Sequence, residues 1–313
     1  MHVHIGLAFC VENIYYAGFL KNNQTLMLDQ VGSVPYPFYY KESDFIGEEK
    51  IPQLAQQIKS RIQINPSDNY DISISIESNL AVVKRIAFPD NFNQKEEREH
   101  IAWELSQSII EPVDQYVFFK TVNHFDFEHY RDYLTIAMRK KVVHFFNVLS
   151  KQLGMNLVDL SINQLVPEFV LRNILENNRE GLIGLFKIGR TRLETTFLWN
   201  GSYYNSHYDR IKNSTKTAGI SENYLTKIKD KIKQMEKLFE QLTNSQITVS
   251  KIFLYGENVE DSVIQMLQKN VSVVAFRLNP LQNIDKSEKL QNALPSVKEA
   301  TRYVESIGIV LDQ

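Results

Sequence analysis

Apolar residues recur along this chain with two different periods, and the switches between them outline its elements. Ile5, Leu7 and Phe9 alternate with smaller residues, and Ile14, Tyr15, Tyr16 and Phe19 favour extended backbone. His4 to Leu20 therefore predicts two strands around a turn at Val11-Glu12-Asn13. A loop rich in Pro, Tyr and Gly is expected next. Leu54, Ile58 and Ile62, spaced by four, predict an amphipathic helix. Asp71 to Glu77 alternates Ile and Ser with period two, and Val82 to Phe88 reads as a further strand. Asn93 and Glu96 have the spacing of a capping box. They open a helix whose stripe is Ile101, Leu105 and Ile109 and which Pro112 stops. Strands at Tyr116 to Val122 and Tyr133 to Met138 lead to a helix from Lys140 to Leu153, ended by Gly154. A strand at Leu157 to Ile162 and a helix at Gln164 to Leu175 follow.

At Gly181 the opening pattern returns. Leu182 to Ile188 and Leu193 to Trp199 predict strands around Gly189-Arg190-Thr191, and Asn200-Gly201 is a hairpin turn before a third strand near Tyr203 to Tyr208. Two such hairpins, about 180 residues apart, imply a duplicated core. The longest helix is expected at Glu222 to Leu242. Beyond it come a strand at Ile252 to Leu254, a helix near Val259 to Leu267, a strand at Val271 to Phe276 and a final helix from about Ser296. Interleaved strands and helices in both halves give an α/β fold class.

Composition narrows the class without naming a function. At 313 residues, two domains or one large split fold are expected, since domains run to roughly 100 to 200 residues. With 43% hydrophobic and 23% charged residues the chain is globular, neither disordered nor collagen-like. A net charge of −2 argues against a broad nucleic-acid footprint, so no nucleic-acid partner is expected. One cysteine, Cys10, excludes an internal disulfide framework and a multi-cysteine metal cluster. The opening stretch, Met1 to Cys10, lacks a basic leader segment, and the apolar runs fall far short of the roughly 18 residues of a membrane span. A cytoplasmic, reducing setting is expected, with membrane association through partners.

Several features invite sharper readings and are weighed against plain ones. His124 to His129 collects two His and two carboxylates, but the spacing fits no familiar ligand set, so an exposed strand connection is preferred and no metal is expected. His2 and His4 share a strand face and read as plain strand residues. Cys10 lies in an apolar strand with no cation nearby in sequence and reads as a buried small hydrophobe rather than a nucleophile. Leu225, Ile228, Ile232, Met235, Phe239 and Leu242 step by three and four, a heptad rhythm under three heptads long. Packing on its own domain is preferred there to a partner helix or homo-oligomer seam. Arg139-Lys140-Lys141 reads as a solvated helix start.

The duplicated hairpins, with a βαββα block between them, resemble the actin-like ATPase superfamily, with its ribonuclease H-like duplicated core. The block resembles the inserted subdomain of the FtsA/PilM branch. The stretch from Val83 to Tyr116 is similar to that of PilM proteins of type IV pilus assembly: a strand ending in Phe88-Pro89, then a helix carrying Trp103-Glu104 and ending before Pro112. Glu111 between Ile110 and Pro112 is a departure. Tyr133 to Arg139, Asn279-Pro280-Leu281 and the tail Tyr303 to Leu311 resemble further PilM segments, and the whole is also similar to the cytoplasmic part of the secretion protein GspL. The resemblance implies four parts. Residues 1–80 with 155–180 would form the first core half and 81–154 the inserted subdomain. Residues 181–215 with 247–313 would form the second half, and 216–246 a long-helix subdomain.

Active members of that superfamily hold ATP and Mg²⁺ between two hairpins that begin apolar-Asp-apolar-Gly. The resemblance places this chain's degenerate cleft at Gly6, Ala8, Cys10, Lys187, Gly189 and Gly256. Ala8 and Lys187 stand where the family has its acids, and Cys10 stands at a glycine position. A carboxylate facing a cation at about 4 Å is worth on the order of 4 kcal/mol at an effective dielectric near 20. Losing both therefore implies a pseudo-ATPase with no cofactor, although Lys187 could meet a phosphate without Mg²⁺. The implied role is a scaffold in a pilus or type II secretion-like inner-membrane platform. It would bind the N-terminal segment of a PilN-like membrane protein in a groove between the first core half and the insertion. Trp103 and Tyr116 are the candidate contacts, with Trp103 itself expected in the core. The alternatives are an active ATPase or small-molecule kinase, which needs an acid near the hairpins, and an FtsA-like protein, which carries an amphipathic membrane helix after its core.

Overall fold

The structure is a computed structural model. It describes residues 2–312 apart from 23–24, 66, 90, 128–129, 176–178, 212–218 and 272, and the side chains of 122–127 and 219–222 also fall outside the described set. The first part of the chain forms β1 (His2–Phe9), β2 (Ile14–Asn22), β3 (Thr25–Val34), α1 (Ile51–Lys59) and β4 (Asn69–Ile76). Next come β5 (Ala81–Pro89), α2 (Gln94–Ser106), β6 (Tyr116–Phe127), β7 (Tyr130–Arg139), α3 (Lys140–Leu153), β8 (Asn156–Ile162) and α4 (Pro167–Leu175). The second part forms β9 (Leu182–Ile188), β10 (Arg192–Trp199), β11 (Ser202–Arg210), α5 (Gly219–Thr243), β12 (Val249–Tyr255), α6 (Asp261–Asn270) and β13 (Val274–Arg277). The chain closes with β14 (Asp285–Lys286), α7 (Glu288–Gln291), α8 (Val297–Ala300) and α9 (Val304–Leu311).

The duplication expected from the hairpins is present in the strand order. The first sheet runs β14-β3-β2-β1-β4-β8 and the second β11-β10-β9-β12-β13, so without β14 each is a three-strand meander continued by two parallel strands. In both, the first strand sits centrally: β1 pairs antiparallel with β2 and parallel with β4, and β9 does the same with β10 and β12. Strand β3 lies where the sequence reads as loop. Only Leu28 and Val34 of its side chains are fully buried, and Asp29, Gln30 and Ser33 interrupt the alternation. The isoleucine face of β4 is buried as expected, but so are Ser73 and Ser75 on the other face, because α9 covers it.

The third sheet, β5-β7-β6, belongs to the inserted block, with α2 laid on one face. Asn93 caps α2 through a complete capping box with Glu96. Helix α3 buries Val142, Phe145, Phe146 and Leu149 in the core beside the six-stranded sheet, together with Leu54 and Ile58 of α1. Gly154 ends it at φ 79°, as a left-handed cap. Helix α9, at the end of the second half, packs on β1, β2 and β4 of the first sheet and on α4. The turn leading into α4 comes close as well: a Cβ on Gly308 would fall 2.6 Å from the Val166 carbonyl oxygen.

Candidate functional site

The two hairpin turns and the loop after β12 converge, and each glycine there has a neighbour inside the protein. A Cβ on Gly6 would lie 2.0 Å from the Ser306 carbonyl oxygen, so this glycine lets α9 rest on β1. A Cβ on Gly189 would meet the Arg192 side chain at 2.9 Å. Gly256 has φ 106°, and its Cβ would fall 2.9 Å from the Ile188 carbonyl oxygen. Its N–H donates to the Thr301 carbonyl at 3.2 Å, and the Thr301 hydroxyl donates to its own carbonyl at 2.9 Å. Ala8 and Cys10 are buried with Tyr15 in a small cluster closed by Tyr303. The Tyr15 hydroxyl donates to Glu257 across the space between the first hairpin and the β12 loop. Burial and that carboxylate push the phenol far up.

Between the turns lies a buried ion cluster. Lys187 Nζ is 2.6 Å from Glu305 Oε1, 3.8 Å from Glu194 Oε1 and 3.9 Å from Glu77 Oε1. Arg192 forks onto both oxygens of Glu77 at 2.9 and 2.8 Å and lies 3.3 Å from Glu194 and 3.5 Å from Glu12. Glu77 also accepts from the Val11 N–H at 3.0 Å, at the tip of the first turn. The five side chains of Glu77, Lys187, Arg192, Glu194 and Glu305 are each at most 5% exposed. Burial alone would pull Lys187 down, but the carboxylates of Glu194, Glu305 and Glu77 around it hold it well above the ordinary lysine range. Burial pushes Glu194 up to about 7 against the pull of Lys187, and raises Glu305. Glu77 is held below its usual value because Lys187 and Arg192 outweigh its burial. Cys10 Sγ sits 3.4 Å from Lys187 Nζ, yet burial and the nearby Glu305 push its thiol up, so it stays protonated.

This chemistry does not fit a magnesium nucleotide. A hydrated Mg²⁺ needs carboxylate oxygens open to it. Here Glu77 just after β4, Glu194 on β10 and Glu305 on α9 face Lys187 and Arg192 instead. Lys187, expected from the sequence as a cation able to meet a phosphate, is already paired and shielded. A hollow of about 500 Å³ near the two turns is lined by Val11, Tyr40, Asn79, Thr191 and Tyr208, and none of the six cleft residues lines it. The cluster's acids escaped sequence reading because Glu77, Glu194 and Glu305 come from three distant segments. The one local signal was Lys187, Arg192 and Glu194 inside an otherwise apolar run from Leu182 to Trp199. Such charges inside a core run imply buried pairs.

A second site lies where the inserted sheet meets both core halves. A groove of about 650 Å³ has apolar walls from Phe119, Leu134, Ile136, Phe169 and Trp199 and a polar end at Asp159, Glu168, Arg172 and Asp312. Burial pushes Glu168 up to about 7, although Arg172 and the Tyr203 N–H donate to it. Burial and the neighbouring Asp159 push Asp312 up to about 6. Neither Trp103 nor Tyr116 is among the residues lining this groove. Trp103, expected in the core, is 59% exposed on α2, stacked beside His100. Tyr116 is buried beneath α2 with Phe88 and Leu105. Of the other candidates, His2 pairs with Asp71 and His4 with Ser73. The side chains of His124 to His129 lie outside the described residues.

No protein-family profile matches the chain, and no curated protein matches it in sequence. Solved structures do match. A chain of the PilM–PilN type IV pilus biogenesis complex superposes with a TM-score of 0.75 at 14% identity, covering 99% of this chain and 98% of that one. A Bacteroides thetaiotaomicron protein of unknown function with an actin-like ATPase fold gives 0.50 at 11% identity, over 93% and 95% of the two chains. The cytoplasmic domain of EpsL, an inner-membrane component of the Vibrio cholerae type II secretion system, gives 0.45 at 9% identity over 83% of each. Among the described residues no helix is long and apolar enough to cross a membrane. This chain has the actin-like ATPase fold, in an arrangement that resembles PilM along nearly its whole length.

Proposed function

We propose that this chain is a non-catalytic actin-fold scaffold in the cytoplasmic part of a type IV pilus or type II secretion-like inner-membrane platform. In this reading it binds the N-terminal segment of a single-span membrane partner resembling PilN. The observation that supports the reading is the ion cluster: Lys187, Arg192 and their carboxylates pair with one another at the position that the family resemblance assigns to Mg²⁺ and phosphate. The likeness to the PilM chain of a two-protein pilus complex supports the partner class. The groove beside the inserted sheet is the seat assigned to the segment. Its walls include β6 and β8, each the edge strand of its sheet, and an extended segment can add to such an edge.

Two measurements test this. Titration calorimetry with ATP, with and without Mg²⁺, is expected to show no saturable binding, and steady-state assays no turnover. Magnesium-dependent hydrolysis would instead support an active ATPase or kinase. A tagged chain isolated from its own cells is expected to bring down a single-span membrane protein of a pilus or secretion platform. Recovery without any such component would remove the scaffold role.

A further inference from the structure

We propose that the buried ion cluster is a latch that ties the two halves of the molecule together across the cleft, so that closure needs no ligand. The partners sit on opposite sides. Glu77 directly follows β4 and Glu12 lies in the turn between β1 and β2, both at one end of the first sheet, while Lys187, Arg192 and Glu194 lie on β9 and β10 of the second. Glu305 rides on α9, which packs against β1, β2 and β4. The Arg192–Glu77 fork at 2.8 and 2.9 Å therefore crosses from one sheet to the other, and the Lys187–Glu305 contact at 2.6 Å ties the second sheet to the helix that rests on the first. The Tyr15–Glu257 bond makes a further crossing at the β12 loop.

The choice of ions is itself informative. A well-packed apolar patch would stabilise a closed cleft at least as well as buried ion pairs of the same volume. What ions add is position: Arg192 and Glu77 pair through both forks in only one relative placement of the sheets. Separation would take both cations from Glu77 and Lys187 from Glu305, leaving Lys187 and Arg192 with only Glu194, so closed and open forms would be discrete states. Helices α4 and α9 pack on each other in a core that holds Phe19 and Leu28 of the first sheet and Ile183 and Leu185 of the second, so the two sheets also meet away from the cluster.

Hydrogen exchange on the full chain, without nucleotide, tests the latch independently of the proposed function. Glu305→Gln is expected to speed exchange on the order of tenfold, together, at the amides of 10–13, 189–191 and 256–258, while the β2–β3 pairing keeps its protection. If Glu305→Gln does not fold, Arg192→Lys, which keeps the charge and loses the fork, is expected to give the same pattern. The paired variant Lys187→Met/Glu305→Leu removes both ions and keeps volume, so its cleft amides should be protected at least as well as in the wild type, which ties the fast exchange of Glu305→Gln to the broken pair. Wild-type protection of the cleft amides in both Glu305→Gln and Arg192→Lys, or acceleration spread evenly over α1 and β4, would overturn the latch and make the cluster ordinary packing.

Discussion

At the scale of single residues, Gly6 shows how one motif position admits two physical readings. The family resemblance counts it among the residues of a degenerate nucleotide cleft. The structure makes it a packing glycine, because its missing side chain is the space into which the Ser306 carbonyl, Ile309 and Val310 press. The readings differ in what Gly6→Ala does. An over-packed core position costs typically 1–3 kcal/mol, and here the obstacle is a helix backbone, which yields little. Urea denaturation of Gly6→Ala is expected to show a loss of about 3 kcal/mol, near the top of that range. A loss under about 0.5 kcal/mol, the size of an ordinary surface change, would mean that α9 does not rest on β1 as described.

At the scale of elements, α5 illustrates which sequence patterns decide between partners. Its three-four rhythm was compatible with a partner helix, but Leu225, Ile228, Ile232, Met235 and Phe239 are all buried against the second sheet. Phe239 lies between Trp199 and Tyr204, with ring centroids at 4.8 and 4.7 Å. Phe239→Ala is expected to cost about 3 to 5 kcal/mol in chemical denaturation, the usual range for a buried Phe. A change in association state without loss of stability would instead restore the seam reading. Local patterns were legible in the same way: the capping box at Asn93, the Gly154 cap, the isoleucine face of β4 and the repeated hairpins are set by neighbours in sequence. What escaped were features set at long range. Strand β3 is half exposed and so alternates weakly. The ion cluster is assembled from the residue after β4 and from β9, β10 and α9. Trp103 could have been placed by phase alone: it is two residues from both Ile101 and Leu105, which are buried, so it turns away from their stripe.

At the scale of the whole molecule, the inserted sheet separates the two candidate partner surfaces. Tyr116, Phe118 and Tyr133 point to the α2 side, and Trp103 lies beyond them on the outer surface of α2. Phe119, Leu134 and Ile136 point the other way, into the groove shared with β8, α4 and the β10–β11 turn. One short segment cannot cover both faces, so a pair of variants discriminates between them. Phe119 is 48% exposed, so Phe119→Asp is expected to leave the thermal midpoint nearly unchanged. A charge placed on the apolar wall should nevertheless lower recovery of the membrane partner about tenfold or more, as truncating a central contact does. Trp103→Ala should leave recovery at the wild-type level. The opposite outcome, with Trp103→Ala abolishing recovery and Phe119→Asp sparing it, would move the docking surface to the outer face of α2. The groove would then be a gap between core and insertion, and the acids at Asp159, Glu168 and Asp312 would have no part in recognition.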